Sequence, residues 1–152
     1  MKQSNNGFSL VEVLVFLTII SLVFIVGATV ATVSIKNSIS AENKILATRY
    51  AEELKEWLKG QKEADWQTFT AKDTSANGSG TKYCFTNEPV SAWPAAVACQ
   101  QTDVVTGTIF QRQATLTFDN IRNQVDAAIT VSWNEAGNSF SVPINTIFAP
   151  FE

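Results

Sequence analysis

Residues 13–33 contain no charged side chain, and this stretch limits the fold more than any other feature of the chain. A run of about 20 apolar residues, at about 1.5 Å of rise each, is long enough to cross the hydrocarbon core of a bilayer as a helix. Its content of Val, Ile and Thr does not weaken that reading. In lipid the backbone has to close its own hydrogen bonds, and a helix does so within one segment. The concentration of apolar residues here also explains why charged residues make up only 16% of the chain while hydrophobic ones reach 45%.

Three kinds of segment fit such a run: a plain transmembrane anchor, a cleaved secretory signal and a signal trimmed by a dedicated peptidase. The secretory reading needs a small-x-small cleavage site, and the best one, Val26-Gly27-Ala28, is mediocre. Glu12 decides among the three. A carboxylate just inside an apolar span is costly, about 3 kcal/mol at mid-span and less near an end. Neither an anchor nor a secretory signal has a use for that cost. An acidic residue at this depth is a functional residue by default, once a partner for it is named.

The surrounding residues supply the partner. Ahead of the span stands Met1-Lys2-Gln3-Ser4-Asn5-Asn6-Gly7, short, polar and with one lysine. Then comes Gly7-Phe8-Ser9-Leu10-Val11-Glu12-Val13-Leu14, which resembles the cleavage and methylation motif of type IV prepilins and pseudopilins. The resemblance implies that a membrane aspartyl peptidase, the prepilin peptidase, cuts between Gly7 and Phe8. It implies N-methylation of Phe8 and an assembly role for Glu12. The implied partners are other pilin subunits in a homo- or hetero-oligomeric filament, the inner-membrane assembly platform and membrane lipid. The implied location is the cytoplasmic (inner) membrane as a single-pass precursor, then an extracellular pilus or an envelope pseudopilus.

The motif has a physical logic. Cleavage creates a basic amine on Phe8, so each subunit carries a cation there and an anion at Glu12. Pairing one subunit's Glu12 with its neighbour's Phe8 amine removes two unpaired charges from a low dielectric. Desolvation offsets much of the attraction, so the pair sets register more than it adds stability. An uncut precursor lacks the amine, and processing therefore acts as the switch for assembly. Apolar helices gain little from meeting in lipid. Once extracted, they bury apolar surface at roughly 25 cal/mol per Å².

The helical pattern continues beyond the span. Ile35, Ile39, Leu46, Tyr50, Leu54, Trp57 and Leu58 recur along one face, with Lys36, Lys44, Arg49, Glu52, Glu53, Lys55, Glu56 and Lys59 over much of the rest. The apolar stripe reads as core. The charged face reads either as solvated or as a contact between subunits. The spacing predicts one helix from about Phe8 to about Lys59, ending near Gly60. Many pilins carry a proline partway along this helix; this chain has none between Phe8 and Lys62, which leans the reading towards a minor subunit or a pseudopilin. Gly27 is the only weak point, at about 1 kcal/mol relative to Ala. Basic residues do not set the topology: Lys2 precedes the span, while Lys36, Lys44 and Arg49 follow it. The orientation comes from the resemblance.

Residues 61–101 read as irregular, with a turn cluster at Asn77-Gly78-Ser79-Gly80. Two cysteines, Cys84 and Cys99, lie on the far side of the span from the leader. They are either a disulfide in an oxidising compartment or two separate buried thiols. A bond closing so short a loop is worth roughly 3 kcal/mol on a chain-entropy account. Pro89, Trp93 and Pro94 fall between them, and Trp93 is expected either to cover the disulfide or to face a ligand. Alternation then sets in. Phe110, Ala114, Leu116 and Phe118 share one side, broken by Arg112; Val125, Ala127, Ile129, Val131 and Trp133 share another; Asn134 to Asn138 form a turn; Phe140, Val142 and Ile144 follow, with Pro143 favouring an edge strand.

The expected fold is therefore α+β: a long N-terminal helix, membrane-spanning in its first half, packed on a small antiparallel β-meander. The expected division is a leader at 1–7, a membrane or filament-core helix at 8–34, its amphipathic continuation at 35–60 and an extracytoplasmic domain at 61–152. The chain has no histidine, and so lacks the commonest general base and transition-metal ligand. Two thiols fall short of a zinc site, no glycine-rich phosphate loop is present, and Asp65, Asp73, Asp103, Asp119 and Asp126 are scattered and read as solvated. No catalytic residues, metal or cofactor are expected. A net charge of −3 without a basic cluster argues against nucleic acid. The expected function is a structural subunit of a type IV pilus or related filament. A pseudopilin of a secretion or DNA-uptake machine is the first alternative. A membrane-anchored binding module is the second.

Overall fold

The computed structural model describes residues 9–75 and 78–150. Along the chain come α1 (Leu10–Ala64), α2 (Trp66–Thr70), β1 (Thr81–Cys84), β2 (Gln111–Asp119), β3 (Gln124–Glu135) and β4 (Asn138–Phe148). Two compact units divide it, Met1–Ala41 and Glu42–Glu152.

In the first unit the described residues are helical from Leu10 onward, through Gly27 and without interruption. Apolar side chains project on all sides: Leu10 is 75% exposed and Phe24 74%. A helix that is apolar all round belongs in a membrane or a protein core. Its few hydroxyls do not compete with the ladder. Thr18 donates to Val15 O, Ser21 to Leu17 O, Thr29 to Ile25 O and Thr32 to Ala28 O, each at 2.8–2.9 Å. Every one of these polar groups is satisfied within its own helix, as an apolar solvent requires.

The second unit is a four-stranded antiparallel sheet in the order β1-β2-β3-β4, packed on the C-terminal part of α1. Ala114 pairs with Ile129 and Ile129 with Ile144, so the apolar parities of β2, β3 and β4 share the inner face. Against them α1 buries Ala47, Ala51, Leu54 and Leu58 completely. Leu46, Tyr50 and Trp57 flank that stripe, whereas Ile35 and Ile39 are exposed in the first unit. The alanines were absent from the expected face. Small side chains let a helix approach a sheet closely, and the two alanines are as completely buried as Leu54 and Leu58. β4 is an edge strand, as Pro143 required, because proline has no N–H for a ladder on both sides. The β3–β4 hairpin turns through Ala136 (φ 50°) and Gly137 (φ 83°), the pair of left-handed residues that suits a two-residue loop.

Three elements differ from the sequence reading. Strand β1 and helix α2 lie in the stretch read as irregular, and α1 passes through Gly60 to reach Ala64. Gly60 does not stop the helix because Leu58 and Lys62, on either side, are both buried and hold the next turn in place. The stop comes at Asp65, extended at φ −158° and ψ 103°, whose side chain accepts from Thr68 N and caps α2. A methyl group built on Gly60 meets nothing within 4 Å. Gly60→Ala is therefore expected to stabilise the unit by about 1 kcal/mol, read as a shift in the denaturant midpoint at constant slope.

Candidate functional site

Gly7 and Phe8, the expected cleavage and methylation residues, lie outside the described residues. Glu12 stands in the first turn of α1, where its backbone N–H donates to Ser9 O at 3.0 Å and that of Val13 donates to the same carbonyl at 3.3 Å. A carboxylate in the first turn interacts favourably with the helix dipole. Its side chain is exposed in the single chain, and the next acidic residue along the sequence is Glu42. The segment thus offers a partner one anion on an otherwise apolar surface.

The second unit holds three polar or aromatic knots. Cys84 and Cys99 are bonded, with Cα atoms 4.9 Å apart, and tie the end of β1 to the following loop. Trp93, in that loop, packs against the rings of Trp57 (5.0 Å between centroids), Tyr83 (5.2 Å), Phe85 (6.0 Å) and Phe69 (6.2 Å). Its Nε1 donates to Gln61 Oε1 at 3.1 Å, and Lys72 Nζ lies 5.1 Å from its ring. It is the centre of an aromatic cluster against α1, where the sequence reading had set it over the disulfide or facing a ligand.

Asp73 is the second knot. Its Oδ1 accepts from Ser75 N at 2.9 Å, Ser75 Oγ at 2.7 Å and Thr81 Oγ1 at 3.1 Å, while Oδ2 accepts from Phe118 N at 2.8 Å. Burial works against its ionisation, but the donors from Phe118, Ser75 and Thr81 together outweigh it and hold the carboxyl below the usual carboxylate range. This residue was read as a solvated charge; it instead joins the chain before β1 to the end of β2. Asp73→Ala is expected to cost about 2 kcal/mol, measured by urea unfolding at neutral pH. A depressed folded pKa gives stability that is complete above the unfolded value and is lost as pH falls through the folded one. The difference between the two proteins should therefore shrink below about pH 4.

The third knot surrounds Arg112, which is completely buried on the inner face of β2. Its Nη1 lies 3.4 Å from Glu53 Oε2 on α1 and 3.3 Å from Glu88 Oε2 in the loop. Its Nη2 donates to Asn87 O at 2.6 Å, and the guanidinium sits 5.7 Å from the Tyr50 ring. The break that Arg112 makes in the alternation of β2 was the one signal of this cluster in the sequence. Nothing in the spacing pointed to Glu53 or Glu88 as its partners. Of the other aspartates, Asp119 accepts from Ile121 N and Arg122 N to shape the β2–β3 turn, and Asp103 accepts from Gln100 N.

A helix that is apolar on every side through its first part, followed by a four-stranded antiparallel sheet packed on its later turns, is an α+β architecture of the pilin-like class. Residues 2–28 match the family described as the prokaryotic N-terminal methylation motif, the hallmark of type IV pilin and pseudopilin precursors. The match spans the polar residues 2–7, Glu12 and the apolar residues through Ala28. No curated protein matches the chain, and no solved structure does.

Proposed function

We propose that the chain is a structural subunit of a type IV pilus or a related filament, made as a single-pass membrane precursor. It is cut between Gly7 and Phe8 and methylated on the new terminus. It assembles through the apolar part of α1, with Glu12 taking the Phe8 amine of a neighbouring subunit. On this reading residues 1–7 are the leader, the helix from residue 8 to about residue 34 moves from lipid to filament core, and the remainder is displayed outside the cytoplasmic membrane. Its role is structural, not enzymatic. Its partners are the prepilin peptidase, the inner-membrane assembly platform and other pilins. One observation carries the reading: the methylation-motif match at residues 2–28 takes in the helical turns from Leu10 onward, whose large apolar side chains are largely exposed among the described residues.

A pseudopilin of a secretion or DNA-uptake machine is the second reading. It is favoured by a helix that has no proline and runs unbroken through Gly27. Copy number in isolated filaments distinguishes the two. The shared proposal is tested by mass spectrometry of the N-terminal peptide from sheared filaments, which should begin with methylated Phe8. Glu12→Ala should still be processed but should reduce incorporation into filaments at least tenfold, read by immunoblot of the sheared fraction. Unchanged incorporation would remove Glu12 from the assembly mechanism. A chain retaining residues 1–7 and found only in membranes would favour an anchored binding module.

A further inference from the structure

We propose that Glu53, Glu88 and Arg112 form a pH-sensitive latch that holds the loop of residues 85–94 against α1, firm in mild acid and looser as pH rises. The geometry is that of one cation shared by two anions. Arg112 Nη1 stands within 3.4 Å of both carboxylates, yet neither Nη1 nor Nε has a well-directed hydrogen bond among the described residues. Of the three guanidinium nitrogens, Nη2 has a hydrogen bond among the described residues, to Asn87 O. Two ionised carboxylates competing for one nitrogen make an incompletely satisfied cluster, and such clusters are weak points in a core.

A proton on Glu88 relieves the competition. The carboxylic acid donates to Glu53, and Arg112 keeps one full counter-charge. The charged groups that face Glu88 are Arg49 and Glu53 from α1 and Arg112 from β2, with the Tyr50 ring of α1 against Arg112. Burial first, and then the Glu53 carboxylate, push the Glu88 carboxyl upward, and the attraction of Arg112 and Arg49 does not cancel them. A carboxyl raised in the folded state contributes stability that is complete below its unfolded pKa. That contribution is lost as pH rises through the folded value, so the window opens at about pH 4.3 and extends upward. Protons reach the cluster because the side chains of Glu53 and Glu88 are 28% and 31% exposed.

The loop is the element that moves. Its three polar ties to α1 are the Glu88 carboxyl against Glu53, the Val90 N–H donated to Glu53 Oε1 at 3.3 Å, and the Trp93 indole on Gln61, beside the packing of Phe85 and Trp93 on Trp57. Two of these three ties involve the latch carboxylates. The Cys84–Cys99 bond keeps both ends of the segment anchored, so release is a local opening that leaves the sheet intact.

The test uses the full chain in detergent micelles. The Glu88 side-chain carboxyl is titrated by carbon NMR. Exchange of the Val90 amide, corrected for its intrinsic rate, is followed from about pH 4 to about pH 8. The expected result is a several-fold loss of Val90 protection that tracks Glu88 ionisation, with the Ile129 amide of β3 unaffected. Glu88→Gln should abolish that pH dependence. Glu53→Gln should return the Glu88 titration towards the ordinary carboxylate range. A flat Val90 profile in the parent chain, an unchanged profile in Glu88→Gln, or an unmoved Glu88 titration in Glu53→Gln would each overturn the latch.

Discussion

Arg112→Met should lower the stability of the Glu42–Glu152 unit by roughly 3 kcal/mol. Methionine fills much of the same volume, so packing loss is a minor part of the effect. The larger part is electrostatic. Without the guanidinium, Glu53 and Glu88 face each other beside a buried surface with no cation between them, and Asn87 O loses its donor. The carboxylates are partly exposed, which lets them turn to water and keeps the cost towards the low end for a broken buried pair. Combining Arg112→Met with Glu53→Leu and Glu88→Leu should recover most of the loss, because an apolar replacement of a whole buried ion cluster is close to neutral. Urea unfolding of the parent, the single variant and the triple variant, followed by tryptophan fluorescence, gives the comparison. If the triple variant is as unstable as the single one, packing around Arg112 and not its charge is what matters.

Trp93→Ala should cost about 3 kcal/mol by the same measurement. The ring touches aromatic residues from α1 (Trp57), α2 (Phe69) and β1 (Tyr83), together with Phe85 just beyond β1. Removing it strips the loop of its main apolar tie to the helix. Aromatic pairs add about 0.5–1.5 kcal/mol each beyond their buried area, and the Gln61 acceptor is left unpaired. A ligand-facing tryptophan would behave differently, since surface substitutions fall within about 0.5 kcal/mol of neutral. The size of the effect therefore separates a structural role for Trp93 from a binding one. Trp93→Phe, which keeps most of the apolar contact and loses only the indole hydrogen bond, should cost about 1 kcal/mol.

Much of the fold was legible residue by residue. The charge-free run from Val13 to Val33 defined the apolar helix, and the alternating parities of β2, β3 and β4 placed their inner faces correctly. Pro143 marked the edge. What escaped was short or depended on distant partners. Strand β1 has four residues and α2 has five, too few for a period to register against irregular neighbours. Ala47 and Ala51 carry little hydrophobic signal, yet both are completely buried in the core between helix and sheet. Asp73 looks like any loop aspartate until Phe118, 45 positions later, is brought back to donate to it.

The sequence by itself determined the N-terminal segment: its length, its lack of charge and the single carboxylate at Glu12 follow from local chemistry that needs no fold to be read. It also set the strand faces, because period-two alternation is a local property. Only the tertiary structure decided what the lone cation in β2 is for. Arg112, Glu53 and Glu88 come from a strand, a helix and a loop 24 to 59 positions apart along the chain. Charges on separate elements acquire partners only when packing removes the water between them, and no pattern within one element encodes that meeting.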